Sequence, residues 1–218
     1  LLFGILTQVL LSNQVATGLA LTLFGLGLSA LIGQSYSGKS AGTFPRLVGS
    51  VDIMAVLAVA AAVAIGWALT RTRAGLVLRA IGENHDAAHA VGLDVVRVRL
   101  LAIAFGGAMA GIGGAYLSLV QTPFWVERMT AGRGWIALAL VVFAAWRPMR
   151  VLVGAYLFGG ISILQLHAQG LGLAIDAQIL SMLPYLATII VLVVISHDRW
   201  KSRLDAPASL GKVFYAPA

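Results

Sequence analysis

TRTRAGLVLRAIGENHDAAHAVGLDVVRVR, residues 70–99, is the only long charged stretch between the apolar runs of this chain, and we refer to it as the charged segment. Its centre predicts one short helix with both ends marked. Asn84 can cap the N-terminus with its side-chain carbonyl, and Asp86 lies in the first turn, where the helix dipole favours an anion. His89 lies in the last turn, and Gly92 can adopt the left-handed conformation that ends a helix.

The predicted helix has a small apolar face formed by Ala87, Ala88 and Val91. Small side chains let the surface of another protein come close, so this face favours a docking role. The alternative interpretation is an ordinary solvated loop between two helices. Two marked ends together with a small-residue face count against the loop interpretation but leave it open.

The composition is that of an integral membrane protein. Of 218 residues, 60% are hydrophobic and only 11% are charged, and the mean hydropathy is +0.93. A soluble domain has about 25% charged residues, so this chain has too little polar surface to cover a globule in water. The 25 glycines agree with this, because glycine is common in packed membrane helices. The absence of cysteine excludes disulfides and thiolate metal sites.

The apolar runs predict an all-α fold, a polytopic membrane helix bundle of about six spans with one span short or discontinuous. The predicted spans are residues 14–32, 51–69, 100–120, 134–145, 151–166 and 178–195. The fourth has the length of half of a broken helix. Residues 1–200 are expected to form a single transmembrane domain that contains the charged segment, followed by a solvent-exposed cytoplasmic tail at 201–218.

The placement of basic residues predicts the orientation of the chain. The net charge of +7 comes from residues at the ends of apolar runs, which is a topology signal and not a nucleic-acid surface. If the charged segment is cytoplasmic, so are the turn at 146–150 and the tail. Eleven of the fifteen lysines and arginines then lie inside, as the positive-inside rule requires. This orientation needs residues 134–145 to cross the membrane.

Polar side chains at helical spacing are candidates for a solute pathway, although contact between helices is the alternative for each of them. The candidates are Gln14, Thr22, Ser29, Ser118, Ser181 and Tyr185. Three glycines share one face of the span at 100–120 and predict close packing against a neighbouring helix. They are Gly107, Gly111 and Gly114.

Two motifs look like catalytic or cofactor sites but lack the context that each requires. GQSYSGKS, residues 33–40, matches the phosphate-binding pattern G-x-x-x-x-G-K-S, yet it follows a membrane span where that motif needs a buried strand. His85 and His89 resemble H-E-x-x-H with Asp86 in place of glutamate, and a third zinc ligand is missing nearby. Two solvated histidines are the preferred interpretation. We expect no cofactor, no metal and no catalytic residue.

No ionisable residue lies in the middle of a predicted span. Proton- and sodium-coupled carriers usually need one, so its absence favours a transporter driven by ATP hydrolysis on a partner. Hydroxyls and amides without charge suit a neutral, hydroxylated solute. The rival hypothesis is a secondary carrier that works alone. A membrane-embedded hydrolase that uses the two histidines is a third, and it predicts zinc in the purified protein.

The pattern G-x-x-x-R-A-x-G-E-N-x-x-A-A-x-x-x-G at 75–92 resembles the cytoplasmic loop of permease subunits of bacterial ABC importers for simple sugars, nucleosides and branched-chain amino acids. Asn13-Gln14, the Gly-Leu-Ala-Leu at 18–21, and Trp146 with Pro148 are also similar to that family. The resemblance implies that the loop is a coupling helix that docks into an ATP-binding subunit. The contact residues that it implies are Arg79, Glu83, Asn84, Ala87, Ala88 and Gly92.

The same resemblance implies the partners, the solute and the location. The partners would be ATP-binding subunits, a second permease subunit (identical or homologous), and an extracytoplasmic solute-binding protein. The solute would be a nucleoside or a simple sugar, with nucleosides preferred and branched-chain amino acids as the alternative. The protein would lie in the bacterial cytoplasmic (inner) membrane and work by alternating access. Family members usually have further N-terminal spans, so we expect this chain to be a C-terminal portion.

Overall fold

Helices make up most of this computed structural model, which describes residues 1–39, 46–48, 51–130, 132–170, 182, 186, 189, 190 and 206–215. The helices are α1 (Leu2–Gly4), α2 (Gln14–Gly33), α3 (Ile53–Arg71), α4 (Arg73–Glu83), α5 (His85–Ala90), α6 (Val95–Tyr116), α7 (Arg133–Phe143) and α8 (Pro148–Gly170). The turn α1 continues as a π-helix at Ile5–Val9, α2 ends in a 3-10 turn at Gln34–Tyr36, and α6 continues as a π-helix at Leu117–Gln121.

Helices α2, α3 and α6 are long and apolar enough to cross a membrane. At about 1.5 Å per residue each matches a hydrocarbon core of roughly 30 Å. Two shorter apolar helices, α7 and the first part of α8, follow them. The predicted polytopic helical membrane protein is therefore confirmed. The predicted number of spans stays a prediction, because the last one, residues 178–195, lies largely outside the described residues.

The all-α prediction agrees with the described residues apart from a short two-stranded antiparallel ribbon that precedes α3. Strand β1 (Arg46–Val48) pairs with β2 (Val51–Asp52), with Arg46 opposite Asp52 and Val48 opposite Val51. The sequence Val-Gly-Ser-Val at 48–51 explains the pairing, since β-branched residues flank a pair of good turn formers.

The predicted turn at 146–150 needs correction, because Pro148 opens α8. Proline suits the first helical position, where its missing N–H would have no partner anyway. The turn itself lies just before the helix. Ala145 and Trp146 have left-handed φ angles of 50° and 58°, and the Trp146 amide donates to the Val141 carbonyl at 3.1 Å. The chain can thus reverse between α7 and α8 in very few residues.

Contacts divide the chain into two units. The first comprises Leu1–Ala58, Trp67–Gly132 and Pro207–Ala218. Its small buried core consists of Ile81, Ala88, Val95 and Phe214. The second unit comprises Val59–Gly66 and Arg133–Ala206. In the second unit α8 approaches α7 closely at Gly154, where an added Cβ would lie 3.1 Å from the ring of Phe143.

A single residue, Thr72, joins α3 to α4 within the first unit. Its hydroxyl donates to the Ala68 carbonyl at 2.7 Å and accepts from the Gly75 amide at 3.1 Å, so it ends one helix and caps the next. Gly75 lies against the backbone of α3. A Cβ there would meet the Ala68 carbonyl oxygen and would lie 2.6 Å from the Cα of Leu69. Only glycine fits this sharp junction.

We expect Gly75→Ala to destabilise the protein by about 1–3 kcal/mol, because the new methyl group overlaps backbone atoms that cannot rotate away. The measurement is thermal unfolding of the purified protein in detergent, followed by tryptophan fluorescence. Gly106→Ala is the matched control, since a Cβ at Gly106 in α6 would meet no described atom within 4 Å. Equal unfolding temperatures for the two variants would contradict the packing at this junction.

Candidate functional site

The charged segment folds as two helices where the sequence analysis predicted one. Helix α4 precedes the predicted helix and is amphipathic, with Ile81 buried and Arg79 exposed. Val77 and Ile81, four residues apart, pack towards the small core beneath the segment. This spacing was a usable signal for α4, and the strongly charged composition around it obscured the pattern.

The ends of α5 are formed by the residues that the sequence analysis named. The Asn84 side-chain oxygen accepts from the amides of Asp86 at 3.1 Å and Ala87 at 3.0 Å. At the other end Gly92 has a φ of +90°, and its amide donates to the His89 carbonyl at 2.8 Å. The predicted N-cap and left-handed C-terminal glycine are confirmed. Because both ends are closed, this six-residue helix is held by more than its intrinsic propensity.

Helices α4 and α5 pack on a small buried core that the sequence analysis did not predict. Ile81 of α4, Ala88 of α5 and Val95 of α6 are buried around Phe214, which is only 4% exposed. The rings of His85 and His89 meet the Phe214 ring edge-on, with centroids 5.4 and 5.3 Å away. Edge-to-face pairs of this kind add to the energy of burial.

His85 is therefore not the solvated histidine that we expected, because it is buried and hydrogen-bonded. Its Nδ1 lies 3.1 Å from a guanidinium nitrogen of Arg99 and must accept, since arginine only donates. Its Nε2 lies 3.5 Å from the Asp86 carboxylate. Both ring nitrogens face partners within the chain. Among the described residues there is no group of three His, Asp or Glu side chains that could hold a metal ion.

Arg99 connects four parts of the first unit. Besides His85 it donates to the Gln8 side-chain oxygen at 3.3 Å and to the Lys212 carbonyl at 3.1 Å. Arg99 itself lies near the start of α6. One side chain thus joins the N-terminal π-helix, α5, α6 and the C-terminal residues.

We call residues 207–215 the C-terminal segment, and the predicted solvent-exposed tail is wrong at two of its residues, Ser209 and Phe214, which are buried. The Ser209 amide donates to the Gly82 carbonyl at 2.8 Å, and its hydroxyl donates to the Glu83 carbonyl at 3.2 Å. These are among the last carbonyls of α4, which have no partner within their own helix. A Cβ placed on Gly82 would also come 3.2 Å from Pro207. The C-terminal segment therefore satisfies the end of α4.

The candidate coupling residues fall into two groups. Five of them are exposed on α4, α5 and the turn after it: Arg79, Glu83, Asn84, Ala87 and Gly92. Ala88 differs, since it is 5% exposed and packs in the core, so its role is to hold the helix. Val91 is 83% exposed and extends the apolar face beside Ala87. The exposed surface of the segment thus includes a small apolar patch, Ala87 and Val91, and the Glu83 carboxylate at the end of α4.

The candidate pathway residues are brought together only in part. Ser29 and Ser118 both line two cavities of about 530 and 490 Å³ in the first unit, with Trp125 between them as a shared wall. Gln14 and Thr22 line neither of these cavities, and the Thr22 hydroxyl donates to its own helix. The sequence analysis missed Trp125, whose indole lies against Gly33. Ser181 and Tyr185 lie outside the described residues.

The glycine face of α6 is open. A Cβ on Gly107, Gly111 or Gly114 would meet no atom within 4 Å in the described part of the chain. Their predicted close packing against a neighbouring helix stays a prediction. The phosphate-loop motif also lacks its required context, because helix α2 precedes it in place of a strand, and Lys39 points at the Tyr36 ring, 5.7 Å from its centroid.

Comparison with known proteins agrees on one family. Residues 1–195 match the family described as branched-chain amino acid transport system, permease component. A protein from Haloferax volcanii that carries the name of a glucose ABC transporter permease, TsgC13, is 40% identical over 91% of this chain and 71% of its own length. The guanosine ABC transporter permease protein NupQ from Bacillus subtilis is 29% identical over 92% of this chain and 68% of its own length.

A third relative, the nucleoside ABC transporter permease protein NupC from Lactococcus lactis, is 37% identical over 62% of this chain and 44% of its own length. No solved structure matches the chain.

We expect Asn84→Ala to destabilise α5 by about 1 kcal/mol, since the amides of Asp86 and Ala87 lose their acceptor. Hydrogen exchange with mass spectrometry should show faster exchange for a peptide that covers α5. Asn84→Ser is the control, because serine also caps and should leave the exchange rate near that of the unaltered protein. Unchanged exchange in the alanine variant would show that the cap does not hold this helix.

Proposed function

This chain belongs to the family of branched-chain amino acid transport system permease components, and within that family we propose that it carries a neutral, hydroxylated solute, a simple sugar or a nucleoside. It is a multi-pass membrane protein and the permease component of an ABC importer, and ATP is hydrolysed on partner subunits. We propose that transport proceeds by alternating access in the cytoplasmic membrane, which the bacterial relatives support and an archaeal relative widens beyond bacteria.

The two capped helices of the charged segment carry the proposed mechanism. Helices α4 and α5 lie between two membrane-crossing helices, α3 and α6, and α4 follows α3 after a single residue. A force on this surface therefore reaches both spans through short, ordered connections. We propose that Glu83, Ala87 and Val91 dock into the ATP-binding subunit, with Arg79 and the Gly92 turn at the border.

The orientation and the remaining partners follow from that proposal. Docking requires the charged segment to be cytoplasmic, and the positive-inside rule supports this. The open glycine face of α6 suits close contact with a further membrane helix, such as one from a second permease subunit, identical or homologous. An extracytoplasmic binding protein would deliver the solute on the other side.

The proposed solute class rests on chemistry and on the relatives. The cavities beside Ser29 and Ser118 present hydroxyls and an indole, and among the cavity-lining residues charge is confined to Lys39, Glu127 and Arg128. Aromatic faces and hydroxyls suit a sugar ring or a nucleoside. Proteins named for glucose, guanosine and nucleoside transport are similar to this chain. Branched-chain amino acids are the second candidate, because the family description names them.

We expect Glu83→Arg to abolish association of the permease with its ATP-binding subunit, because it reverses an exposed carboxylate at the end of α4, where we propose that the partner docks. The measurement is a pull-down from detergent-solubilised membranes. Glu127→Arg is the matched control, since it reverses an exposed carboxylate in the loop that follows α6. Wild-type binding by the Glu83 variant, or no binding by the unaltered permease, would contradict docking through this surface.

We expect the assembled transporter to take up radiolabelled guanosine or glucose in an ATP-dependent manner, with competition from the solute class that it recognises. Unlabelled leucine should not compete, because the hydroxyls of Ser29 and Ser118 and the indole of Trp125 suit a sugar ring or a nucleoside better than an aliphatic side chain. The measurement is initial uptake rate in proteoliposomes with the binding protein present. Competition by leucine alone would favour the branched-chain amino acid candidate.

A further inference from the structure

The C-terminal segment makes a set of specific contacts that the proposed docking role does not explain. It approaches the charged segment at three separate points, through Ser209, Lys212 and Phe214. These residues lie more than a hundred positions from their partners in the sequence. Contacts of such separation cost loop-closure entropy, so a set of three indicates a defined resting place for this segment.

Each contact acts on a different part of the two-helix surface. Ser209 satisfies the last carbonyls of α4, next to Glu83. Phe214 fills the space beneath α5 and meets both histidine rings. The Lys212 carbonyl shares the guanidinium of Arg99 with His85. The C-terminal segment therefore contacts the end of α4, the buried face of α5 and the start of α6.

From these contacts we infer that the C-terminal segment is a strap that positions the charged segment for docking, with Phe214 as its anchor. This inference rests on the proposed function, because it names what holds the docking surface in place. Phe214 is a positioning residue: it is buried, and it acts through α5. A surface that is already ordered loses less entropy on binding, so release of the strap should weaken association with the ATP-binding subunit.

Two neighbouring aromatic residues allow a matched comparison. Phe214 is 4% exposed, whereas Tyr215 beside it is 68% exposed. Phe214→Ala removes the anchor, and Tyr215→Ala removes an aromatic ring of similar size from solvent. We expect the affinity for the ATP-binding subunit to fall about tenfold or more in Phe214→Ala and to stay unchanged in Tyr215→Ala. Truncation before Pro207 should match Phe214→Ala, and membrane levels of the permease serve as the check on folding.

The absence of cysteine from the chain gives an assay that does not depend on docking. A single reporter cysteine is placed at Ser209, which is 6% exposed, or at Leu210, which is 59% exposed. In the permease alone, we expect a maleimide to label Ser209→Cys about tenfold more slowly than Leu210→Cys. Adding Phe214→Ala should bring the two rates together, whereas adding Tyr215→Ala should leave the difference intact.

The outcomes of these experiments test separately the docking proposal and the positioning role of the C-terminal segment. Equal labelling of both cysteines in the otherwise unaltered permease overturns the strap. Release of the strap by Phe214→Ala without loss of affinity overturns its positioning role, and leaves docking through Glu83 in place. Equal loss of affinity in Phe214→Ala and Tyr215→Ala overturns positioning, since it assigns the effect to direct contact. Binding that survives Glu83→Arg overturns the docking proposal, while the labelling result still reports on the strap.

Discussion

One guanidinium, that of Arg99, occupies the place where four parts of the chain meet. It donates hydrogen bonds to the side-chain oxygen of Gln8, to Nδ1 of His85 and to the carbonyl of Lys212. A charged group at the edge of an apolar helix is costly unless its donors find acceptors, and here each acceptor comes from a different element. The position of α5 is thus tied to the start of α6 by a partner set that no shorter side chain could reach.

The apolar counterpart of this polar centre is Phe214. Its ring packs with Ile81, Ala88 and Val95 between α4, α5 and α6, and partly buried hydrophobic residues border this core: Val77, Leu93, Val96 and Val98. Without this ring, the apolar side chains of Ile81, Ala88 and Val95 would be exposed to water. Because α5 has only six residues, its order depends on this packing and on its two closed ends more than on helix propensity. The end of α4 that carries Glu83 and the helix that carries Ala87 thus pack on the same small core.

Local signals explain which parts of the structure were predictable. The cap at Asn84 and the glycine after α5 are properties of a few adjacent residues, and both formed as expected. The crossing helices follow from composition and length alone, because lipid leaves the backbone no partner outside its own helix. Helix α4 was missed since its apolar pair, Val77 and Ile81, is set among charges. The β-ribbon was missed because its strands have only three and two residues, too few for an alternating pattern.

The sequence by itself determined the class of protein, its membrane helices, the capped helix of the charged segment and the family motif. Each of these depends on composition or on residues within one or two turns of each other. Only the tertiary structure decided that His85 is buried, that Ala88 faces inward, and that the C-terminal segment packs against the charged segment. Those features depend on Phe214 meeting residues more than a hundred positions away. Phe214 and Tyr215 are adjacent aromatic residues without a periodic pattern around them, so which of the two is buried, and against what, is set by folding and cannot be inferred from their neighbours.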